Sequence, residues 1–365
     1  MKLQNAFDSL NRYIEDCFQQ PSMQHQHLSG AGAIYFLEEK LRNYYNKKFA
    51  VAFSNATTAI QAVCIALDLH NTEILTTPVN WGGSISPFLL YKAKLRFASV
   101  DPVSLNLSLC DLSSAITPKT KAILSVDFNG TPADSEAIKS FCLQNNLHYI
   151  SDSAQSLGSF LNNKPAGYFA DATVLSFSPG KSFFAGEGGA VITDDENLFE
   201  KLIWYTQHPS KQKTIFGISN YNAYAPLNGR MNPLSAILLN ETFEASFTEL
   251  KRHQAKCFHL LNQLQKEQLV EPAPHIFLPA SSTFFNFSLQ LKSSVKMEQV
   301  NEFLQKQNHP FTAIASFPKL IPFDMSFRKQ FKGSFTCSEN LLQQKKSFQF
   351  NDRLKLIFSP SIIAK

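Results

Sequence analysis

Between residues 47 and 195, short apolar runs alternate with helix-like segments, and this alternation restricts the fold more than any other feature of the chain. The runs FAVAF at 49–53, EILTT at 73–77, LRFASV at 95–100, AILSVD at 122–127, HYISD at 148–152, TVLSF at 173–177 and GAVIT at 189–193 have the length and apolar character of strands. Segments 57–69, 82–92 and 134–146 lie between several of them and read as helices. Strand and helix in alternation predict an α/β domain with a mostly parallel central sheet and helices on both faces. Sheets of that kind carry their chemistry just beyond the carboxyl ends of the strands. Candidate site residues should therefore follow strands: Asn55 to Thr58 follow the first, Asn80-Trp81 the second, Asp152 closes the fifth and Ser176 to Lys181 the sixth.

After residue 200 the pattern changes. A loop rich in Asn, Tyr and Ser at 205–229 leads to a helix-like segment at 233–265, then to short strands such as 283–290. This predicts a large α/β domain over 1–228 and a smaller α+β domain over 229–365, with residues 1–25 a candidate to pack with the smaller one. A chain of 365 residues that is 44% hydrophobic and 17% charged can bury such cores, and disorder is excluded.

Partner classes narrow on the same grounds. The net charge of +5 is dispersed, with basic neighbours only in pairs such as Lys47-Lys48 and Lys251-Arg252, so nucleic acid is not expected. Six scattered cysteines without a CxxC pair or a His/Cys cluster predict no metal site and reduced thiols in a cytoplasmic protein. The first twenty residues lack the apolar run of a signal peptide. No stretch approaches the roughly 18 apolar residues a membrane span needs.

The chemistry centres on VLSFSPGKSFFAGEGGA at 174–190, where Lys181 sits in a Ser-Pro-Gly turn among apolar neighbours. Desolvation disfavours an ammonium, so a lysine held there can supply the neutral amine of a Schiff-base enzyme; a solvated turn lysine is the other reading. Thr57 and Thr58 open an apolar helix straight after a strand, either as capping residues or as part of a phosphate cradle. Trp81 either stacks on a planar ring or fills a half-covered core position. Asp152, at a strand end with Gln155 three residues on, is either a solvated or helix-capping carboxylate or, if buried, one that needs a cationic partner, and a protonated pyridine nitrogen fits that need. Ser176 adds a strand-end hydroxyl. Phosphate cradle, stacking ring, acid and lysine together are what pyridoxal 5′-phosphate requires.

At this point six ordered motifs resemble the sugar aminotransferases of the DegT/DnrJ/StrS family, from about residue 28 to 240 and weakly beyond. LSGAGAIYFLEEKL resembles the entry segment, and FSNATTAIQAVCIAL the phosphate loop and helix. RFASVDPVSLNLSLCDLSSAITPKTKAILSVDFNGTPAD, SDSAQSLG, LSFSPGKSFFAGEGGAVITD and LNGRMNPLSAI are similar to the motifs that follow. The resemblance implies a fold-type I transferase in which Lys181 forms the internal aldimine with pyridoxal 5′-phosphate and shuttles protons. It implies that Asp152 pairs with the pyridinium nitrogen, Trp81 stacks on the ring and Gln155 binds the phenolic oxygen. Thr57, Thr58 and Ser176 would hold the phosphate, and Asn228 would reach the phosphate of a neighbouring subunit in a homodimer with shared active sites. The implied substrates are a nucleotide-activated keto sugar and an amino acid donor, glutamate by expectation. Three positions depart from the pattern: Ala56 for a glycine, Asn129 for a tyrosine and Gly229 for the tyrosine of Asn-Tyr-Arg-Met. Two alternatives stay open, a sugar dehydratase on the same scaffold (those relatives carry histidine in place of the lysine) and a binding or regulatory protein that has kept the fold.

Overall fold

The computed structural model describes residues 2–20, 22–218, 227–315, 320–347 and 353–358. Its centre is an eight-stranded sheet. Seven strands are β1 (Phe49–Phe53), β2 (Glu73–Thr76), β3 (Lys94–Phe97), β4 (Thr120–Val126), β5 (His148–Asp152), β6 (Ala172–Ser176) and β7 (Gly189–Thr193). Further along come β8 (Phe287–Gln290), β9 (Phe311–Ala315), β10 (Phe335–Cys337) and β11 (Arg353–Phe358), of which β10 is the eighth strand of the central sheet. The order is β1-β7-β6-β5-β4-β2-β3-β10, and only β7 runs against the others. The expected mostly parallel sheet is therefore present.

Alternate strand residues point to opposite faces, and both faces are covered. Val51, Phe53, Ile74, Leu124, Ile150, Val174 and Val191 pack against Ile60 and Val63 of the helix Ala56–Ala66. On the other face, Ala50, Ala52, Leu175, Ala190 and Ile192 meet Leu37 and Leu41 of Ala33–Tyr45 and Leu239 of Pro233–Lys266. Leu75, Ile123 and Tyr149 meet Ile138 and Cys142 of Ser135–Gln144.

The segment after residue 266 forms the antiparallel sheet β8-β11-β9. Its apolar side, with Phe287, Leu289 and Phe311, packs on Cys257, Leu260 and Leu264 of the long helix and on Val300 and Leu304 of Met297–Lys306. Between β9 and β11 the chain returns to the central sheet, where β10 adds to the edge beside β3. At the other terminus, Lys2–Gln19 lies along Pro233–Lys266, with Ser9 Oγ donating to Glu241 Oε1 at 2.9 Å.

Two expectations need adjusting. The segment 205–229 is not all loop: a helix spans Pro209–Phe216, started by Pro209 behind the His208 cap, while residues 219–226 lie outside the described residues. The strand expected at 283–290 begins only at Phe287, because Phe284 takes a left-handed backbone, φ 51°, that interrupts an extended chain. Among the described residues no helix is long and apolar enough to cross a membrane.

Candidate active site

The carboxyl ends of β1, β2, β4, β5 and β6 open on one cavity of 510 Å³. Asn55, Ala56 and Thr57 line it from the first strand, Asn80, Trp81, Gly83 and Ser84 from the second, and Asp152 and Gln155 from the fifth. Ser176, Ser178 and Lys181 complete that wall, and Phe285 and Asn286 close it from the far part of the chain. Six of the eight candidate residues line this cavity; Thr58 and Asn228 do not.

At the cradle end, Asn55 caps the helix Ala56–Ala66, its Oδ1 accepting from the Thr58 amide at 2.8 Å. The amides of Ala56 and Thr57 are left as the unpaired donors of a helix start, where the dipole favours an anion. Ala56 does not disturb this, because it is the first helical residue and packs on the core beneath. The Thr57 hydroxyl and the Trp81 indole approach over Gly83, where an added Cβ would lie 2.5 Å from Thr57 Oγ1 and 2.8 Å from Trp81 Cδ1. Trp81 is 73% exposed, a large apolar face left open beside the cavity. Thr58 is turned differently: its Oγ1 accepts from Ser54 Oγ at 3.1 Å, and Thr58 is not among the residues that line the cavity.

Asp152 is buried. Ser84 Oγ donates to its Oδ2, and the Ala154 amide donates to its Oδ1 at 3.1 Å. Burial raises its pKa; the Ser84 hydroxyl, the Ala154 amide and the Lys181 charge oppose the rise without cancelling it. Among the described residues no Lys or Arg pairs with it. Gln155 is oriented by the Asn129 amide, which donates to Oε1 at 2.9 Å and leaves the Nε2 hydrogens available. Asn129 tolerates the left-handed φ of 57° that this needs.

Lys181 follows a turn closed by its own amide on the Ser178 carbonyl at 3.2 Å. Pro179 and Gly180 take the two central positions, and Gly180 has the φ of 84° that the second one demands. Phe177 anchors the loop by pairing with Ala185 and Gly188, and Phe183 packs on Phe243 and Phe247 of the long helix. The amine sits 4.1 Å from the Phe285 ring centroid. Burial lowers its pKa, and Asp152 only partly restores it. Among the described lining residues, only Asp152 and Lys181 carry charge.

Ser176 Oγ accepts weakly from the Ser178 amide at 3.4 Å, while Ser178 Oγ donates to Glu187 Oε2 at 2.7 Å. Asn228, at φ 56°, lines a second cleft of 350 Å³ with His27, Ser54, Glu187 and Arg230. Its Oδ1 accepts from the Arg230 guanidinium. Gly229 lets this segment run close to Thr58, and its carbonyl accepts from the Ser54 amide at 2.8 Å.

Among the described residues, a buried carboxylate without an ion-pair partner, an amine without a hydrogen-bond acceptor, open helix amides and an exposed indole form one donor and acceptor set. A family model for DegT/DnrJ/EryC1/StrS aminotransferases matches residues 19–356. The chain belongs to that family. A Helicobacter pylori UDP-4-amino-4,6-dideoxy-N-acetyl-beta-L-altrosamine transaminase is 32% identical over 222 residues, 60% of this chain and 58% of its own length. A Yersinia pseudotuberculosis GDP-4-keto-6-deoxy-D-mannose 3-dehydratase is 28% identical over 331 residues, 84% of this chain and 79% of its own length. Three relatives at 31 to 32% identity align over 43 to 63% of their own length, under two thirds. The crystal structure of a DegT DnrJ EryC1 StrS aminotransferase from Brucella abortus superposes with a TM-score of 0.75 at 20% identity, covering 97% of this chain and 91% of that one. The chain shares its fold.

Sequence reading missed Ser84, Phe285 and Asn286. Ser84 lay three residues beyond Trp81 in a stretch read only as helix. Phe285, one of 33 phenylalanines, carries no local signal.

Proposed function

We propose that this chain is a pyridoxal 5′-phosphate-dependent aminotransferase that moves an amino group from an amino acid, glutamate in our reading, to a keto group of a nucleotide-activated sugar. The observation that carries the reading is the Lys181 amine and the cation-free Asp152 carboxylate sharing one cavity. Family membership and the transaminase among the relatives support it. The residues fit the cofactor: a protonated ring nitrogen supplies the positive charge Asp152 lacks, and the helix start offers unpaired amides to a phosphate. When bound, the cofactor supplies an aldehyde carbon and an electron-withdrawing ring.

The chain's own groups do the rest. Asp152 would hold positive charge at the ring nitrogen, Trp81 would cover a ring face, and Gln155 Nε2 would donate to the phenolic oxygen. The amides of Ala56 and Thr57 and the hydroxyls of Thr57 and Ser176 would hold the phosphate. Thr58, whose hydroxyl is turned to Ser54 outside the cavity, would reach the phosphate only after turning toward it. Lys181 Nζ takes the proton from the donor's α-carbon and delivers one to the sugar carbon in the second half-reaction; a lowered pKa keeps its basic form accessible.

Among the described residues no cation besides Lys181 faces the cavity, so in our reading a phosphate there draws charge and hydrogen bonds from elsewhere. In our reading a second copy brings Asn228 across, in a homodimer with shared sites. We also read the chain as a large domain over 1–228 and a small one over 229–365, with β10 contributed back to the large sheet. Burial pushes the thiols of Cys64, Cys142 and Cys257 up to about 12, as suits inert thiols in the cytoplasm, where we place the protein.

The dehydratase reading has one observation in its favour, the Yersinia relative's alignment over 84% of the chain. Lys181 argues against it. The deciding experiment is the visible spectrum of the protein with pyridoxal 5′-phosphate, before and after glutamate. We expect a lysine-dependent band that bleaches with glutamate and is absent in Lys181→Ala. A protein that stays colourless refutes the cofactor reading and leaves a regulatory one. Product mass separates the two enzymes, since transamination exchanges oxygen for nitrogen and dehydration loses water.

A further inference from the structure

Lys181 has an unusual partner. Among the described residues no hydrogen bond or ion pair reaches its Nζ, and the group it touches is the ring of Phe285, 4.1 Å from the centroid. A ring face attracts a cation through its quadrupole but offers no lone pair in the plane and no opposite charge. It holds an ammonium in place without competing for the amine's lone pair once the proton is lost.

The placement of that ring is built, not incidental. Phe285 lies more than a hundred residues from the lysine, and Ser282 and Thr283 just before it are stitched to the loops beside the cavity. The Thr283 amide donates to the Gly130 carbonyl at 3.0 Å, and Thr283 Oγ1 donates to the Gln155 carbonyl at 2.6 Å. Thr131 Oγ1 donates to Ser282 Oγ at 3.2 Å, and Gln254 Nε2 bridges the carbonyls of Gly158 and Ser282 at 3.1 and 3.0 Å. Phe284 is then buried edge-on against Phe287, at 5.0 Å, in a left-handed backbone that a bulky residue seldom adopts. Strain of that kind persists where surrounding contacts over-determine it, and it clusters at functional sites. Here it marks the bend between the stitched residues and β8, with Phe285 at the cavity.

We propose that Phe285 is the seat of the Lys181 ammonium, an aromatic residue that fixes the direction of the amine and favours its charged form whenever it is not covalently engaged. Its role in turnover rests on the aminotransferase reading above. The charged group facing Lys181 is Asp152 at the end of β5; the turn Ser176–Pro179, the cradle and the segment Phe285–Asn286 bring no other. Burial and the ring therefore pull the amine in opposite directions.

The test needs no cofactor. The full-length protein is reductively methylated with formaldehyde and cyanoborohydride across a pH series, and modification at Lys181 is quantified by mass spectrometry with exposed Lys119 as internal reference. Phe285→Leu keeps apolar bulk and removes the ring, so its Lys181 profile should move to lower pH by at least about half a unit. That is about a threefold faster rate at fixed pH below the midpoint. Phe285→Tyr should keep the wild-type midpoint. If the leucine variant does not fold, Phe285→Met is read in the same way. An unmoved profile in the ring-less variants, an upward shift, or an equal shift with tyrosine overturns the proposal. Pyridoxal 5′-phosphate titration of the same variants reports separately on the cofactor reading, so either idea can fail alone.

Discussion

Ser84 shows how a single hydroxyl sets the state of a buried acid. Asp152 has lost most of its water, and with it most of the stabilisation of its charge. The Ser84 hydroxyl and the Ala154 amide replace part of that solvation. Hydrogen bonds to charged groups contribute roughly 1.5–3 kcal/mol, so Ser84→Ala should weaken pyridoxal 5′-phosphate binding by about 10- to 100-fold. The Asp152 carboxyl should rise further, and the absorbance of the bound cofactor should change with pH over a window displaced upward. An absorbance titration checks both, and unchanged affinity would mean Ser84 only fills space. The placement of Asp152 and Lys181 in the cavity was legible in the sequence because both follow apolar strands, where such a sheet carries its chemistry. Ser84 and Phe285 carry no such signal. A serine in the first turn of a helix is ordinary, and a phenylalanine before a strand is ordinary, so only the fold reveals what they touch.

Among the elements, the helix Ala56–Ala66 carries the most function for its length. Its buried side is almost all alanine and β-branched or small residues, which lets it lie close on the sheet and point its start at the cavity. That start depends on Asn55, in an extended conformation and bonded to the Thr58 amide. Asn55→Ala should cost about 1 kcal/mol of stability, the usual worth of such a cap. It should also loosen the amides of Ala56 and Thr57, so phosphate affinity should fall with stability. Chemical denaturation and binding of inorganic phosphate to the apo-protein measure the two, and a stability loss with unaltered phosphate binding would separate cap from cradle. The strands were readable as apolar runs, yet the direction of β7 was not assigned from its composition. The information lay in its connection: residues 177–188 hold no helix, and a parallel return needs a crossover that usually contains one. The helix Pro209–Phe216 hid in a polar segment because its burial, of Lys211 and Gln212, involves residues that read as loop. The Lys211 ammonium there is paired to Glu38, a long-range contact no local pattern announces.

Across the whole molecule, the least predictable feature is the return of the chain to the central sheet between two strands of the small one. The strand β10 is three residues long and could not be told from loop by its composition. What holds it is a buried carboxylate. Asp111 Oδ2 accepts from the Ser99 amide at 2.7 Å and from Ser338 Oγ at 2.6 Å, while Oδ1 accepts from Ser114 Oγ and Asn340 Nδ2, both at 2.8 Å. Burial alone would raise this carboxyl's pKa, but the bonds from Ser338, Ser99 and Ser114 outweigh it and leave the value below that of an ordinary aspartate. The unfolded chain therefore binds more protons than the native one between the lowered value and the usual one near about 3.9. Stability from Asp111 is fully present above that usual value and is lost as pH falls through the lowered one. Asp111→Asn replaces an acceptor with a donor facing Ser338 or Asn340, so it should destabilise the protein at neutral pH. The gap between variant and wild type should close on acidification, because protonation disables the same acceptor in the wild type. Urea unfolding at neutral pH, near pH 5 and below pH 4 measures the gap directly. A gap that stays constant down to the most acidic point would mean the carboxylate's charge is not what ties the returning segment to the sheet.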